Sequence, residues 1–428
     1  MNLALRNVTL FTGERCDLFI AGTRLVDEAP PGASVVDASG LIALPGLVDP
    51  HTHLREPGGI GESDPAETIA SGTAAAARGG YTAVAAMPNT IPACNGVAEV
   101  HWLLNRARST GAAARVVPVG AVTYDRAGHR LADLNGLAKA GVRLYSDDGA
   151  AVATEALLRA ALLTISRYHG AVADHCQDPA LAGPAAWRPD CLGPAETPDE
   201  AWPAEAETAI VRRDVQVAEQ TGGHVHLCHL SCAESVEIVR WAKTRGVHVT
   251  AEVTPHHLFL TSDRLLDGTP AGQAGNAAFK VNPPLRTAED AEALRAGLVD
   301  GTIDMIGTDH APHRGADKAK PMPLASPGLT GLEQALGVVT ETMVNTGRLN
   351  WADIARLMSQ APAQLLHLRN QGRNFQRDSP ATLTLIDPTR RLVVRADDTA
   401  SLARNNPYAG LDLPVPVVMT FWTGRRTY

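Results

Sequence analysis

Two textures of apolar and polar residues divide this chain. Over residues 1–45, short apolar runs at 3–11, 17–21, 24–26 and 35–37 alternate with Gly- and Pro-bearing turns, a period-two pattern that predicts short strands. The same texture returns after residue 370, in 381–387 and 415–420. Between these ends an apolar strand followed by an Ala-rich helical stretch repeats, the pattern of parallel βα units. Predicted strands cover 46–50, 81–87, 114–122, 142–146, 170–174, 224–230, 248–253 and 303–308. Predicted helices include 65–78, 97–109, 154–168, 204–221, 233–245, 288–299 and 332–345. Eight strands of this kind predict an α/β fold, a (β/α)8 TIM-type barrel over 46–369, with 1–45 and 370–428 pairing into one small composite β domain.

In such a barrel the active site forms at the C-terminal ends of the strands. His51, Asn89, Asp148, His175, His229 and Asp309 each sit at or just beyond the end of a predicted strand. Residues placed for solubility alone would scatter over helices, whereas one rim gathers all of these. His51 and His53 stand at i and i+2, so an extended strand projects both from one face and offers two imidazoles to one metal. A lone His-x-His among 15 histidines carries little weight, and its company raises it. Two segments, 178–203 and 261–278, are longer than most βα connections and are expected to shape or cover the pocket or to form oligomer contacts.

Composition narrows the function classes. With 45% hydrophobic and 20% charged residues over 428 positions, the chain has the balance of a soluble globular protein, and 4% aromatic content with abundant Ala suggests closely packed helices. A net charge of −8 with scattered Lys and Arg argues against a nucleic-acid surface, which needs a clustered basic face, but leaves room for a small anionic substrate. Residues 1–6 lack the makings of a signal peptide and no apolar run reaches spanning length, which predicts a cytoplasmic protein with no membrane association. The six cysteines form no C-x-x-C pair; Cys176 and Cys228 read as small buried thiols rather than ligands.

The run Asp49-Pro50-His51-Thr52-His53-Leu54-Arg55-Glu56-Pro57-Gly58 resembles the signature of dihydroorotases, the amidohydrolases of pyrimidine synthesis. Six further segments extend the resemblance over nearly the whole chain: Met87-Pro88-Asn89-Thr90, Ser146-Asp147-Asp148-Gly149, Asp174-His175-Cys176, His226-Leu227-Cys228-His229-Leu230-Ser231, Asn282-Pro283-Pro284-Leu285-Arg286 and Thr308-Asp309-His310-Ala311-Pro312-His313. Singly they are weak; in this order and spacing they are jointly specific. The resemblance implies zinc, one or two ions, held by His51, His53, Asp148, His175, His229 and Asp309. Many amidohydrolases bridge two ions with a carboxylated lysine, but the fourth strand carries Arg143, which stays protonated. The run is similar to dihydroorotases in which an aspartate bridges, with Asp148 in that place and Asp147 a turn or capping residue. Strand alternation puts His224 and His226 on one face and His229 on the other; the resemblance selects His229, provided the strand ends or bends there.

Asp309 is the expected catalytic residue, since a carboxylate beside a metal can hold the ion, orient the attacking water and pass its proton to a leaving nitrogen. Arg55, Asn89 and His313, with His53, are expected to bind the substrate carboxylate. Asn282 and the backbone at Pro327 and Gly328 would contact the ring by resemblance, although Ser326-Pro327-Gly328 stands where the family commonly has Pro-Phe-Gly. His101, His129, His169, His248, His256, His257 and His367 carry no motif and are read as structural or exposed. The expected reaction is the reversible cyclisation of N-carbamoyl-L-aspartate to L-dihydroorotate. A hydantoin- or allantoin-cleaving amidase shares the metal ligands but not the need for a carboxylate-binding trio. An inactive scaffold for aspartate transcarbamoylase would have lost ligands that this chain keeps. A homo-oligomer, and association of an active enzyme with that transcarbamoylase, are the expected partners besides substrate.

Overall fold

The computed structural model describes residues 1–58, 64–182, 202–265, 276–322 and 324–428. Most of the two long segments singled out above lies outside these residues. The chain ends meet in one eight-stranded sheet. It is built from β1 (Asn2–Leu10), β2 (Arg15–Ala21), β3 (Arg24–Val26), β4 (Ser34–Asp37) and β5 (Ile42–Pro45), with three strands from the other end of the chain, β15 (Leu383–Ile386), β18 (Val417–Trp422) and β19 (Arg425–Arg426). The seam is the antiparallel pair β5–β15, where Ile42 faces Ile386 and Pro45 faces Leu383. The period-two reading found most of these strands but missed β5, which runs almost directly into the next strand. It also missed the hairpin of β16 (Arg391–Val393) and β17 (Asp412–Pro414), whose partners lie 19 residues apart between Val393 and Asp412.

The middle of the chain forms parallel ladders in sequence order. One joins β6 (Leu47–Thr52), β7 (Tyr81–Ala86) and β8 (Arg115–Pro118). The other joins β9 (Gly120–Ala121), β10 (Leu144–Ser146), β11 (Ala171–Asp174), β12 (His224–Leu227), β13 (Val249–Val253) and β14 (Met305–Ile306). The single strand expected over 114–122 is thus broken at Val119, whose N–H donates to Ala86 O at 3.1 Å and so keeps the two ladders together. A parallel bridge between Thr52 and His310, with His53 N–H donating to His310 O at 2.9 Å, brings the segment after β14 against β6. First and last strands therefore meet. β6, β7 and β11 are buried at every position, as parallel strands with both faces covered are.

Helices follow the strands with legible caps. Thr68 accepts from Ser71 N ahead of Ile69–Arg78, and Thr287 accepts from Asp290 N ahead of Ala288–Asp300, each a reciprocal capping box. The expected start at residue 65 therefore moves in to the capping threonine. Small residues allow close packing: a Cβ added at Gly79 would collide with the Leu332 carbonyl, and one at Gly337 with the Pro414 carbonyl. Among the described residues no helix is long and apolar enough to cross a membrane.

Candidate active site

Acidic residues that lie next to the expected ligands hold the strand ends in place. Asp49 accepts from Thr308 Oγ1 at 2.5 Å and Thr308 N at 3.0 Å, tying β6 to the exit of β14. Asp147 accepts from Val122 N and Thr123 N at 3.0 and 2.9 Å, and Asp174 meets Val152 N and Arg213 at 2.8 and 2.7 Å. Each carboxylate is consumed in positioning backbone, and the ligand candidate beside it is aimed inward.

His51, His53, Asp148, His175, His229 and Asp309 converge on one buried point. His53 Nε2 lies 2.9 Å from Asp309 Oδ1 and 3.5 Å from Asp148 Oδ2. His51 Nε2 lies 3.3 Å from Asp148 Oδ1 and 3.6 Å from Asp309 Oδ1. His175 Nδ1 is 3.0 Å from His229 Nε2, and these two nitrogens are 3.6 and 3.9 Å from Asp148 Oδ1. His229 reaches this point because β12 stops at Leu227 and His229 then takes a left-handed backbone, φ +33. Regular alternation would have turned its ring away. Asp309 (φ +47) and Arg55 (φ +60) are left-handed as well. Each such non-glycine residue costs about 1–3 kcal/mol, which the surrounding hydrogen bonds must offset.

The arrangement fits a divalent cation. His51 Nε2 is buried without a hydrogen-bond partner, while its Nδ1–H donates to Glu252 Oε1 at 2.7 Å. That bond fixes the tautomer that leaves Nε2 free to ligate. His51, His53 and Asp309 form one trio with ligand atoms within 4.8 Å of one another; His51, Asp148 and His229 form a second that shares His51. Burial alone would push the His51 imidazole down, yet Asp148 and Glu252 hold it well above its usual value, so the site favours positive charge. The same balance keeps Asp148 and Asp309 ionised: burial raises both, but neighbouring imidazoles bring them below the ordinary carboxylate range. Cys228 also lies beside His51, but burial and then Glu252 push its thiol up, so it stays protonated.

The expected substrate-binding residues surround this centre. Asn89 spans it, with Oδ1 3.0 Å from His53 Nδ1 and Nδ2 donating to Asp148 Oδ2 at 3.1 Å. Arg55 is anchored through Nε to Pro312 O at 3.2 Å, and Asp309 and Asp148 act on its guanidinium through space. His313 Nε2 donates to Pro327 O at 2.8 Å, so His313 and the Pro327-Gly328 turn form one wall. Asn282 Nδ2 lies 3.1 Å from His175 Nε2.

A family model described as dihydro-orotase-like matches residues 40–235. The chain is 45% identical to a dihydroorotase of Leifsonia xyli, with 98% of this chain and 94% of that one aligned. It is 41% identical to a dihydroorotase of Mycobacterium tuberculosis, over 100% and 98% of the two chains. The chain belongs to the dihydroorotase family. Among solved structures, a dihydropyrimidinase from Brevibacillus agri superposes with a TM-score of 0.85 at 22% identity, covering 100% of this chain and 95% of that one. An L-hydantoinase from Arthrobacter aurescens gives 0.84 at 23%, covering 99% and 95%. At such identities the likeness speaks for a shared fold, and the dihydroorotase relatives carry the family.

Several residues of this dihydroorotase site were missed in the sequence. Glu252, fully buried, meets His51 and, through Oε2, His226 Nε2 at 3.3 Å. Its signal was available: a carboxylate inside the apolar run Val249–Val253 must have a partner. Gln177 pairs with Asn282 through both amide groups, and Arg126 donates to Asp148 O at 2.6 Å. Lys318 donates to the carbonyls of Lys280, Ser326 and Gly328 at 3.0, 3.2 and 3.1 Å, fastening the turn at Pro327. His256 and His257, read as structural or exposed, lie in the short helix Pro255–Phe259 and are buried.

Proposed function

We propose that this dihydroorotase interconverts N-carbamoyl-L-aspartate and L-dihydroorotate at a zinc centre held by His51, His53, Asp148, His175, His229 and Asp309. The observation that carries the reading is the convergence of four imidazoles and two ionised carboxylates around the partnerless His51 Nε2. Imidazole and carboxylate ligands together suit zinc, and Asp148, within reach of both His51 and His53 and of His175, is the residue that by resemblance would be shared if two ions bind. The scaffold of this reading is a closed (β/α)8 barrel over 46–369 with a smaller unit composed of 1–45 and 370–428. It is supported by the parallel order of β6 to β14, by the Thr52–His310 bridge and by the β5–β15 seam.

A divalent cation held by these residues would supply Lewis acidity to the amide carbonyl and would acidify a water. The chain's own groups do the rest. Arg55, Asn89 and His313 bind the ring carboxylate and turn the scissile amide toward Asp309. In hydrolysis, water adds to the ring carbonyl carbon while Asp309 takes one of its protons. The C–N bond then breaks, and Asp309 delivers that proton to the departing nitrogen. Ring closure retraces these steps. His53, beside Asp309, favours the ionised carboxylate that starts the hydrolytic direction. Asn282 and the Pro327-Gly328 backbone contact the ring, with Lys318 holding that backbone in place.

The test is hydrolysis of L-dihydroorotate before and after chelation, with hydantoin and allantoin in parallel. Chelator-sensitive turnover of dihydroorotate alone supports the assignment, and turnover of only the other rings overturns it. Elemental analysis of the active protein counts the ions and identifies the metal. Self-association and association with an aspartate transcarbamoylase belong to the same reading by family resemblance, and light scattering with and without the transcarbamoylase tests both.

A further inference from the structure

A second concave site lies at the opposite ends of the strands. Arg115 opens β8, Arg143 immediately precedes β10, and Arg167 and His169 lie in the turn that leads into β11. With Arg369 and His367, which follow the helix Ala361–Leu365, they line a cavity of about 540 Å³ that has no acidic residue in its wall. All of the ligand candidates of the catalytic centre lie at the other end of these strands, so the two sites are separate.

The arginines are what make the cavity unusual. Several guanidinium groups elsewhere find carboxylates, Arg213, Arg245, Arg348 and Arg395 within 3.0 Å, and others, such as Arg126 and Arg425, donate to single carbonyls. Among the described residues, Arg115, Arg143, Arg167 and Arg369 form no ion pair. Arg143 donates only to the carbonyls of Ala138 and Val142, Arg167 donates to that of Thr164 and lies over the Tyr168 ring, and the guanidinium groups of Arg115 and Arg369 have no hydrogen-bond partner there. Four like charges gathered in one hollow repel, and they do so in a chain whose net charge is −8. His367 registers the crowding: burial first, then Arg143, His169 and Arg369, hold it below its ordinary value, against a bond its ring donates to the His169 backbone. His169 and His367 also adopt left-handed backbones, φ +56 and +53, which turns them where strand geometry would not.

We propose that this cavity binds a small phosphate-bearing polyanion at a site distinct from the catalytic centre. Planar guanidinium forks match phosphate oxygens two at a time, and the volume suits a small molecule rather than a macromolecular surface. The charge converging here matches a di- or triphosphate better than a single carboxylate. The proposal does not depend on which cyclic amide the enzyme cleaves.

The experiment is calorimetric titration of the metal-loaded protein with inorganic tripolyphosphate and, separately, ATP, in about 150 mM salt to suppress unspecific charge attraction. The comparison protein is the double variant Arg115→Gln, Arg369→Gln, which alters two exposed and unpaired side chains and leaves basal hydrolase activity and melting temperature unchanged. One equivalent of probe binds the wild type, and the double variant binds it at least about tenfold more weakly, about 1.4 kcal/mol. Tripolyphosphate as tight as ATP identifies the phosphate chain as the ligand, and ATP about tenfold tighter or more adds the nucleoside. Absence of binding by both probes overturns the proposal. So does binding that is equal in the double variant, as chelation of the catalytic metal would be.

Discussion

Replacing Glu252 with glutamine changes one oxygen for an amide at a place where no water can compensate. The side chain is fully buried, its Oε1 accepts from His51 Nδ1 at 2.7 Å, and its Oε2 faces His226 Nε2 at 3.3 Å. Burial would raise this carboxyl, but His51 and His226 hold it well below the usual range, so the charged form does the bonding. Glutamine can still accept from His51 through its oxygen, but it then presents N–H₂ to His226, whose other nitrogen is already engaged by Thr250 Oγ1 at 2.9 Å. A charge-assisted bond becomes a neutral one, a loss of about 1 kcal/mol or somewhat more. The larger effect is on the metal, because His51 loses the anion that fixes its tautomer and strengthens its free nitrogen. Outer carboxylates of this kind are worth about 10–100-fold in metal affinity or activity, or about 1.4–2.8 kcal/mol. The assay is metal re-addition to chelated protein, reading both the half-saturating concentration and kcat/KM at saturation, with melting of the metal-free protein as the folding control. Glu252→Gln is expected to need about 10–100-fold more metal for half-maximal activity while the metal-free protein still folds. Half-saturation equal to wild type refutes the role given to Glu252.

Other outcomes follow from the same geometry. Asp309→Asn keeps the shape but removes the proton carrier, so kcat falls by about 10²–10⁴; near-normal turnover sinks the assignment. Arg55→Gln is expected to raise KM for dihydroorotate about tenfold or more with a smaller change in kcat, since it removes a charged contact to the substrate carboxylate, and steady-state kinetics reads the split. Burial, with Lys280 adding, holds Lys318 at about 7, below its ordinary value. Between that point and about pH 10 the unfolded chain binds the extra proton, so wild-type stability rises with pH relative to Lys318→Met in urea titrations; a constant difference refutes the shift. Gly337→Ala forces a Cβ onto the Pro414 carbonyl and is expected to destabilise by about 1–3 kcal/mol without altering KM, measured by thermal melting and kinetics.

The chain by itself determined the order of its parts. Apolar runs alternating with Ala-rich stretches marked β6 to β14, because strands covered on both faces must be apolar throughout, and the helices Val97–Ser109 and Ala204–Thr221 were legible to the residue. His51, Asp148, His175 and Asp309 were visible as polar residues at strand exits, since a hydrophobic core tolerates them only at a rim. Tertiary structure alone decided the rest. The orientation of His229 depends on a strand that ends early and a backbone at φ +33, which periodicity cannot encode. Glu252 gained its meaning from His51, 201 positions away in sequence. The four arginines of the second cavity are scattered from residue 115 to 369 and read as dispersed charge in the sequence; only the strand starts gathered at one end, with the turn before β11 and the segment after the helix Ala361–Leu365, bring them together. Local sequence carries periodicity and caps through neighbours a few residues apart, whereas a site is a sum of distances across strands, and those are set when the core closes.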